Sequence, residues 1–346
     1  MFHTRCGAED PRHTRRTDRQ NGRQAMGNTV GIRLRCPSSN EPGGETRYRQ
    51  FRLGALGSRP RGPREVAGRE RPRHRKGALM SAFSSAQSPQ SPAIVARLRA
   101  SGCVFAEEEA LLLAGAAATP DDLAAMVDRR VSGVPLEHVL GWAEFAGLRV
   151  AVEPGVFVPR RRTEFLVEQA AALAERRPRA VVVDLCCGCG AVGLAVAARA
   201  PSVELHAVDI DPGAVRCARR NLAEVGGRVY EGDLYRPLPA ELKGRVAVVV
   251  ANAPYVPTDS IGLMPPEARE HEPRVALDGG ADGLDIVRKV IAPARGWLAP
   301  GGCVLVESGE RQAPRVVEAF ANGGLLPRVA ASDELAATVV IGTMPT

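Results

Sequence analysis

Beyond about residue 180, apolar residues gather in short unbroken runs, and between the runs they recur with a period close to 3.6. Residues 180–185, 203–209, 246–251 and 303–308 carry such runs, unbroken over 180–183, 246–251 and 303–306 and interrupted by Glu204 and His206 in 203–209, with glycine, proline or aspartate close by. Runs of about 4–8 apolar residues with those boundaries read as strands buried on both faces, as in a parallel sheet covered by helices. A shorter strand is expected at 228–231. Segments 190–199, 212–224 and 282–297 carry helical spacing. Strands alternating with helices predict an α/β fold, a doubly wound parallel sheet with right-handed crossovers. Residues 326–332 and 336–343 predict an antiparallel hairpin at its edge.

Upstream the pattern changes. Residues 143–158 alternate around Gly147 and Gly155, which predicts a hairpin, followed by the turn Pro159-Arg160-Arg161-Arg162-Thr163-Glu164 and an Ala-rich helix to about Arg176. Residues 93–131 read as short helices. Within them Thr119 is a predicted N-cap, Pro120 takes the first helical position and Asp121 and Asp122 fill the first turn. The chain therefore divides into a small helical module at 93–142 and a larger domain at 143–346. Residues 1–92 lack any apolar period and are rich in Arg, Gly and Pro, a composition that cannot bury enough surface to order itself. They are expected to be a disordered basic leader, or upstream sequence with Met80 the working start.

Charge matters only through that split. Of 46 Lys and Arg against 39 Asp and Glu, residues 1–79 hold 19 against 7, leaving 27 against 32 for the remainder. The net charge of +7 thus belongs to the leader, and the mildly acidic body argues against stable nucleic-acid binding, which requires a basic groove. No stretch approaches 18 apolar residues and the N-terminus lacks a short apolar signal core. The expectation is a monomeric cytoplasmic protein that binds no membrane. Cys186, Cys187 and Cys189 crowd one turn without a second Cys or His pair at ligand spacing. They read as small residues filling a tight loop, and no metal is expected.

Two strand ends carry candidate chemistry. Asp184-Leu185-Cys186-Cys187-Gly188-Cys189-Gly190 follows one apolar run and opens a helix. Gly188 to Gly193 fits the dinucleotide fingerprint G-x-G-x-x-G, which alone is weak evidence. Asp184 would repel a pyrophosphate but receive the ammonium of a methionine moiety, so S-adenosylmethionine fits better than a nicotinamide dinucleotide. Asp209, ending the next strand, is placed for ribose hydroxyls. Asp233 ends the third and is placed for an adenine amino group, with Leu234 packing on the ring. At the fourth strand end stands Asn252-Ala253-Pro254-Tyr255. The Asn252 side-chain oxygen and the Ala253 carbonyl can hold the two N–H groups of a planar nitrogen, Pro254 stiffens the loop, and Tyr255 can stack on the acceptor. A methyl donor facing a nitrogen acceptor follows.

Together these residues resemble the protein glutamine N5-methyltransferase family, whose best-known members modify the GGQ glutamine of peptide chain release factors. The likeness spans roughly 131–312. It includes Gly133-Val134-Pro135-Leu136-Glu137-His138-Val139-Leu140-Gly141, Val156-Phe157-Val158-Pro159-Arg160, the two loops above, Glu272 to Leu284, Pro300-Gly301-Gly302 and Glu307 to Gln312. The resemblance implies a Rossmann-like seven-stranded methyltransferase sheet, S-adenosylmethionine as co-substrate, and a glutamine bound by the Asn252 clamp. It also implies an active-site wall carrying Arg160, Thr163 and Glu164, and a helical N-terminal region that recognises the substrate. A protein partner follows, a release factor or else a ribosomal or other protein.

Three departures stand out. Ala253 occupies a position where the family has proline, which removes stiffness worth about 0.4–1 kcal/mol of ordering. Arg161 and Arg162 replace a Pro-Glu pair and reverse the charge beside the substrate. The helical region is short, and the family's Arg-rich final strand is absent. Because such clamps also hold adenine, an N6-adenine nucleic-acid methyltransferase is the enzymatic alternative. A module that has lost catalysis and a nicotinamide oxidoreductase are the others.

Overall fold

The computed structural model describes residues 92–346, so the expectations for the basic leader and for Met80 lie outside the described residues. The first elements are helices α1 (Pro92–Ala100), α2 (Ala106–Ala116), α3 (Pro120–Val131) and α4 (Leu136–Leu140). Thr119 caps α3 as expected, its hydroxyl accepting from the Asp122 N–H at 3.1 Å. Ile94, Leu98, Leu113, Leu123, Met126 and Val127 close a small core of their own. Gly141, in the left-handed conformation, ends α4.

The expected hairpin is β1 (Trp142–Phe145) with β2 (Leu148–Ala151). Ala146 and Gly147 both have positive φ, the conformation that matches a two-residue turn to strand twist. Residues 152–158 leave this hairpin instead of extending it.

Helix α5 (Glu164–Ala174), β3 (Val181–Leu185), α6 (Ala191–Arg199), β4 (Glu204–Asp209), α7 (Pro212–Leu222), β5 (Arg228–Glu231) and β6 (Val246–Ala251) follow as the apolar pattern predicts. Then come α8 (Pro266–His271), α9 (Asp285–Ile291), β7 (Leu298–Ser308), α10 (Ala313–Asn322), β8 (Leu326–Ser332) and β9 (Ala337–Thr343). The helix expected over 282–297 is shorter because Pro293 lacks an N–H and its ring clashes with the preceding turn. A 3-10 turn at Ala294–Gly296 replaces its end.

Seven strands form one sheet in the order β5-β4-β3-β6-β7-β9-β8. The first five run parallel, and β9 pairs antiparallel with β7 and β8. Side chains alternate between two apolar layers. Val182 faces the core shared with α5, α6 and α7, while Val181, Val183 and Leu185 face the core shared with α9, α10 and Trp297. Such two-sided burial stabilises each valine by roughly 1.5–3 kcal/mol. Strand order reverses between β3 and β6, the place where open α/β sheets leave a crevice at their carboxyl ends.

Candidate active site

The loops leaving β3, β4, β5 and β6 line one cavity at that reversal. On the β3 side, residues 186–190 form a tight turn in which Cys186, Gly188 and Gly190 all have positive φ. The turn is stitched to β4: the Cys187 N–H donates to the Val208 carbonyl at 3.0 Å and the Gly188 N–H to Asp209 Oδ2 at 2.8 Å. Asp209 Oδ1 accepts from the Asp211 N–H at 2.9 Å. Gly188, Asp209, Asp233 and Leu234 all line the cavity. Leu234 has φ 49°, strained backbone of the kind that clusters at ligand clamps.

Two expected residues sit behind this wall. Asp184 is 1% exposed, and its Oδ2 accepts the Gly193 N–H at 2.8 Å. In this position its carboxylate pins the first turn of α6. Burial pushes that carboxyl up to about 7, the Gly193 N–H pulls it back, and the Asp209 charge adds to the rise. Gly190 serves packing. A Cβ there would lie 3.2 Å from Ala218 Cβ and Leu222 Cγ on α7. Burial also raises the Cys186, Cys187 and Cys189 thiols, which therefore stay protonated.

On the β6 side, Asn252, Ala253, Pro254 and Tyr255 line the same cavity. Asn252 Nδ2 donates to Thr163 Oγ1 at 3.4 Å, which leaves Oδ1 for an incoming donor. Gln312 Nε2 donates to the Tyr255 and Asp282 carbonyls at 3.0 and 3.1 Å. Gly283, at φ +77°, permits this approach, because a Cβ would run into the Tyr255 carbonyl and the Gln312 amide.

The turn at 159–164 closes the acceptor side. Arg160 Nη2 meets Glu272 Oε1 at 2.6 Å, and the Val158 N–H donates to the same oxygen at 3.2 Å. Arg162 Nε meets Glu307 Oε1 at 3.0 Å, while its Nη2 donates to the Tyr255 hydroxyl. Burial and the neighbouring Glu307 charge push the Tyr255 phenol up to about 12. Glu164 Oε1 accepts the Ala146 N–H at 3.1 Å and so fastens the β1–β2 turn.

Glu272, Glu307 and Gln312 received no role from sequence reasoning. One signal was present: Glu307 continues the buried run Val304-Leu305-Val306, and a charge inside such a run requires a partner. The walls differ in sign. Carboxylates of Asp209, Asp211 and Asp233 line one, and the basic lining residues, Arg160 and Arg162, stand on the other. A carboxylate wall fits ribose hydroxyls and a sulfonium nucleoside and repels phosphate. Among the described residues, no group of three or more His, Cys, Asp or Glu could hold a metal ion, and no helix is long and apolar enough to cross a membrane.

Comparison with known proteins fits this arrangement. The release factor glutamine methyltransferase of Geobacter sulfurreducens is 40% identical over 229 residues, 64% of this chain and 78% of that protein. The chain belongs to the release factor glutamine methyltransferase family. The Mycolicibacterium smegmatis member is 41% identical over 221 residues, 62% of this chain and 77% of its own. The methyltransferase small domain model matches residues 147–262, which hold the cavity's β3, β4, β5 and β6 loops. A 4-amino-L-phenylalanine/4-methylamino-L-phenylalanine methyltransferase from Streptomyces pristinaespiralis is 38% identical over 205 residues, covering 57% of this chain and 69% of that protein. Membership in the release factor glutamine methyltransferase family makes the protein a methyltransferase and sets aside the oxidoreductase reading.

Proposed function

We propose that the protein methylates the side-chain amide nitrogen, N5, of a glutamine in a protein substrate, with a release factor as the leading target. The observation that carries this reading is the Asn252 amide. Its Nδ2 is occupied by Thr163 and its Oδ1 has no protein partner among the described residues, in a cavity shared with Asp209 and Asp233.

S-adenosylmethionine, when bound, supplies an electrophilic methyl group on sulfur; the C–S bond breaks, the N–C bond forms, and the nitrogen's proton leaves to solvent. The chain's own residues do the rest. Asn252 Oδ1 and the Ala253 carbonyl accept the two amide N–H groups, orienting a poor nucleophile and stabilising charge that develops on it. Tyr255 stacks on the carboxamide, and Pro254 limits the loop. Asp209 receives the ribose hydroxyls, Asp233 the adenine amino group, and Leu234 packs on the base. Gly188 and Gly190 shape the loop that Asp184 pins. Arg160 and Thr163 form the acceptor wall. Residues 93–142 recognise the substrate protein and 143–346 carry the chemistry. On this reading the enzyme is a cytoplasmic monomer that needs no metal and neither binds membranes nor holds nucleic acid stably.

The relatives support this reading over the adenine alternative. The aromatic amine named for the Streptomyces pristinaespiralis relative supports a second candidate acceptor. Incubating the full chain with methyl-labelled S-adenosylmethionine and, in parallel, a purified release factor, DNA and 4-aminophenylalanine separates the three. Label mapped to a glutamine of the release factor is the expected result. Label on DNA or the amino acid alone would overturn it.

A further inference from the structure

A second cleft lies at the other end of the sheet. It is lined by Ala247 near the start of β6 and by Gly301 and the buried Cys303 early in β7, whereas the active-site loops leave the carboxyl ends of the strands. Arg176 and Arg177, just past the end of α5, line it as well, together with Arg328 of β8, Gln169 of α5 and Thr343 of β9. Among the described residues no carboxylate lines this cleft. Glu168, the neighbour of Gln169, lies instead 3.9 Å from Arg199.

Three guanidiniums that share a cleft without a counter-charge repel one another. At the active-site mouth, by contrast, Arg160 and Arg162 each meet a buried glutamate. One of the three is held in place. Arg177 Nη2 donates to the Pro300 carbonyl at 2.7 Å, and Gly301, at φ +65°, leaves it room, since a Cβ there would stand 3.0 Å from that nitrogen. Arg176 and Arg328 are exposed and enter no ion pair among the described residues, so their N–H groups are open to a ligand. The Gln169 amide and Thr343 Oγ1, which lies 3.5 Å from Cys303 Sγ, add neutral polar groups.

We infer that this cleft is a second ligand site, which takes the phosphoryl group of a small molecule, either inorganic phosphate or the phosphate end of a nucleotide. A phosphate monoester carries about 1.5–2 negative charges at neutral pH and three strong acceptor oxygens, so several guanidiniums can meet it at once. A carboxylate offers two oxygens in one plane and a single charge, which would leave most of the positive charge uncompensated. Guanidinium forks match phosphate oxygens in pairs. The donor cavity does not compete for such a ligand, because Asp209, Asp211 and Asp233 line it and repel phosphate.

The test titrates the full chain calorimetrically with inorganic phosphate and, separately, with ATP, at an ionic strength held constant with chloride. Saturating S-adenosylmethionine keeps the adenosine of ATP out of the donor cavity. Saturable binding is expected in at least one titration; tighter binding of ATP assigns the site to a nucleotide, and equal binding assigns it to the bare anion. Arg176→Gln and Arg328→Gln should each weaken that binding at least about tenfold, the cost of one lost hydrogen bond to a charged group, with S-adenosylmethionine affinity unchanged. No saturable binding of either anion, or an affinity that both variants retain, would sink the inference. Binding of a single-stranded RNA oligomer but of neither small anion would overturn it too.

Discussion

The two walls of the cavity are built by different means. On the β3–β5 side, one carboxylate and a row of backbone N–H groups satisfy each other within a few residues of the strand ends, as Asp209 does with Gly188 and Asp211. On the β6–β7 side, the clamp and the arginines beside it are held by side chains from far along the chain: Thr163, Glu272, Glu307 and Gln312. Local backbone satisfaction gives a rigid receptor for a cofactor that never varies. Long-range ion pairs give a wall whose charge is altered by one substitution, which suits a site that must discriminate between acceptors.

The sharpest way to break that contrast is to remove one polar group from each wall. Asn252→Ala is expected to lower turnover by about 10²–10³ with S-adenosylmethionine affinity unchanged, the usual cost of losing a preorganised stabiliser. Asp209→Ala should instead weaken donor binding by about 10–100-fold, since two backbone N–H groups lose their acceptor as well. Calorimetric titration beside steady-state rates separates the two effects, and a pair of mutants with the same profile would erase the distinction.

Asp184 tests whether the donor side is as rigid as it looks. Its carboxyl titrates near 3.8 in the unfolded chain and at about 7 when folded, so the folded state holds a proton that the unfolded state releases. Stability from this group is greatest below about pH 4 and falls as pH rises toward 7. Asp184→Asn cannot ionise. Relative to the natural chain it should gain on the order of 2–4 kcal/mol between about pH 4.5 and 8, at about 1.4 kcal/mol for each tenfold difference in proton affinity between the two states. Urea unfolding at the two pH values measures it, and a difference that stays flat would show that burial does not strain this carboxylate.

The smallest expected effect lies in the clamp. Among the described residues the Ala253 N–H makes no backbone hydrogen bond outside the strands, so Ala253→Pro breaks none of that kind. It should stabilise the chain by about 0.4–1 kcal/mol, visible as a modest rise in Tm, with turnover within about twofold. A large loss of turnover would mean that the clamp needs the alanine's freedom.

What can be read from the sequence follows the same division. Strands β3, β4, β6 and β7 announce themselves as valine-rich runs, and their terminal aspartates and glycines mark the first wall because its contacts are local. Asp184 does stand at a strand end, as its place in the chain indicates, but its partner is not legible there: whether a carboxylate faces a cavity or the next helical turn depends on the rotation of α6. The early end of α9 is legible in Pro293. The Arg162–Glu307 pair is not, for the partners are 145 residues apart and no periodicity links them. Only the sheet, by setting β7 beside β6, brings Glu307 to the clamp.

The segment between Val256 and Gly280 is pinned where it leaves and where it returns. Val256 bridges to Asp278, and Thr258 bonds to both Asp278 and Gly280. With its two feet tied together, the stretch around the exposed Leu263 can be lengthened at little entropic cost, as long as Glu272 keeps its place against Arg160. Descendants of this scaffold can therefore be re-dressed for new clients at that tip while the cavity wall behind it stays in register.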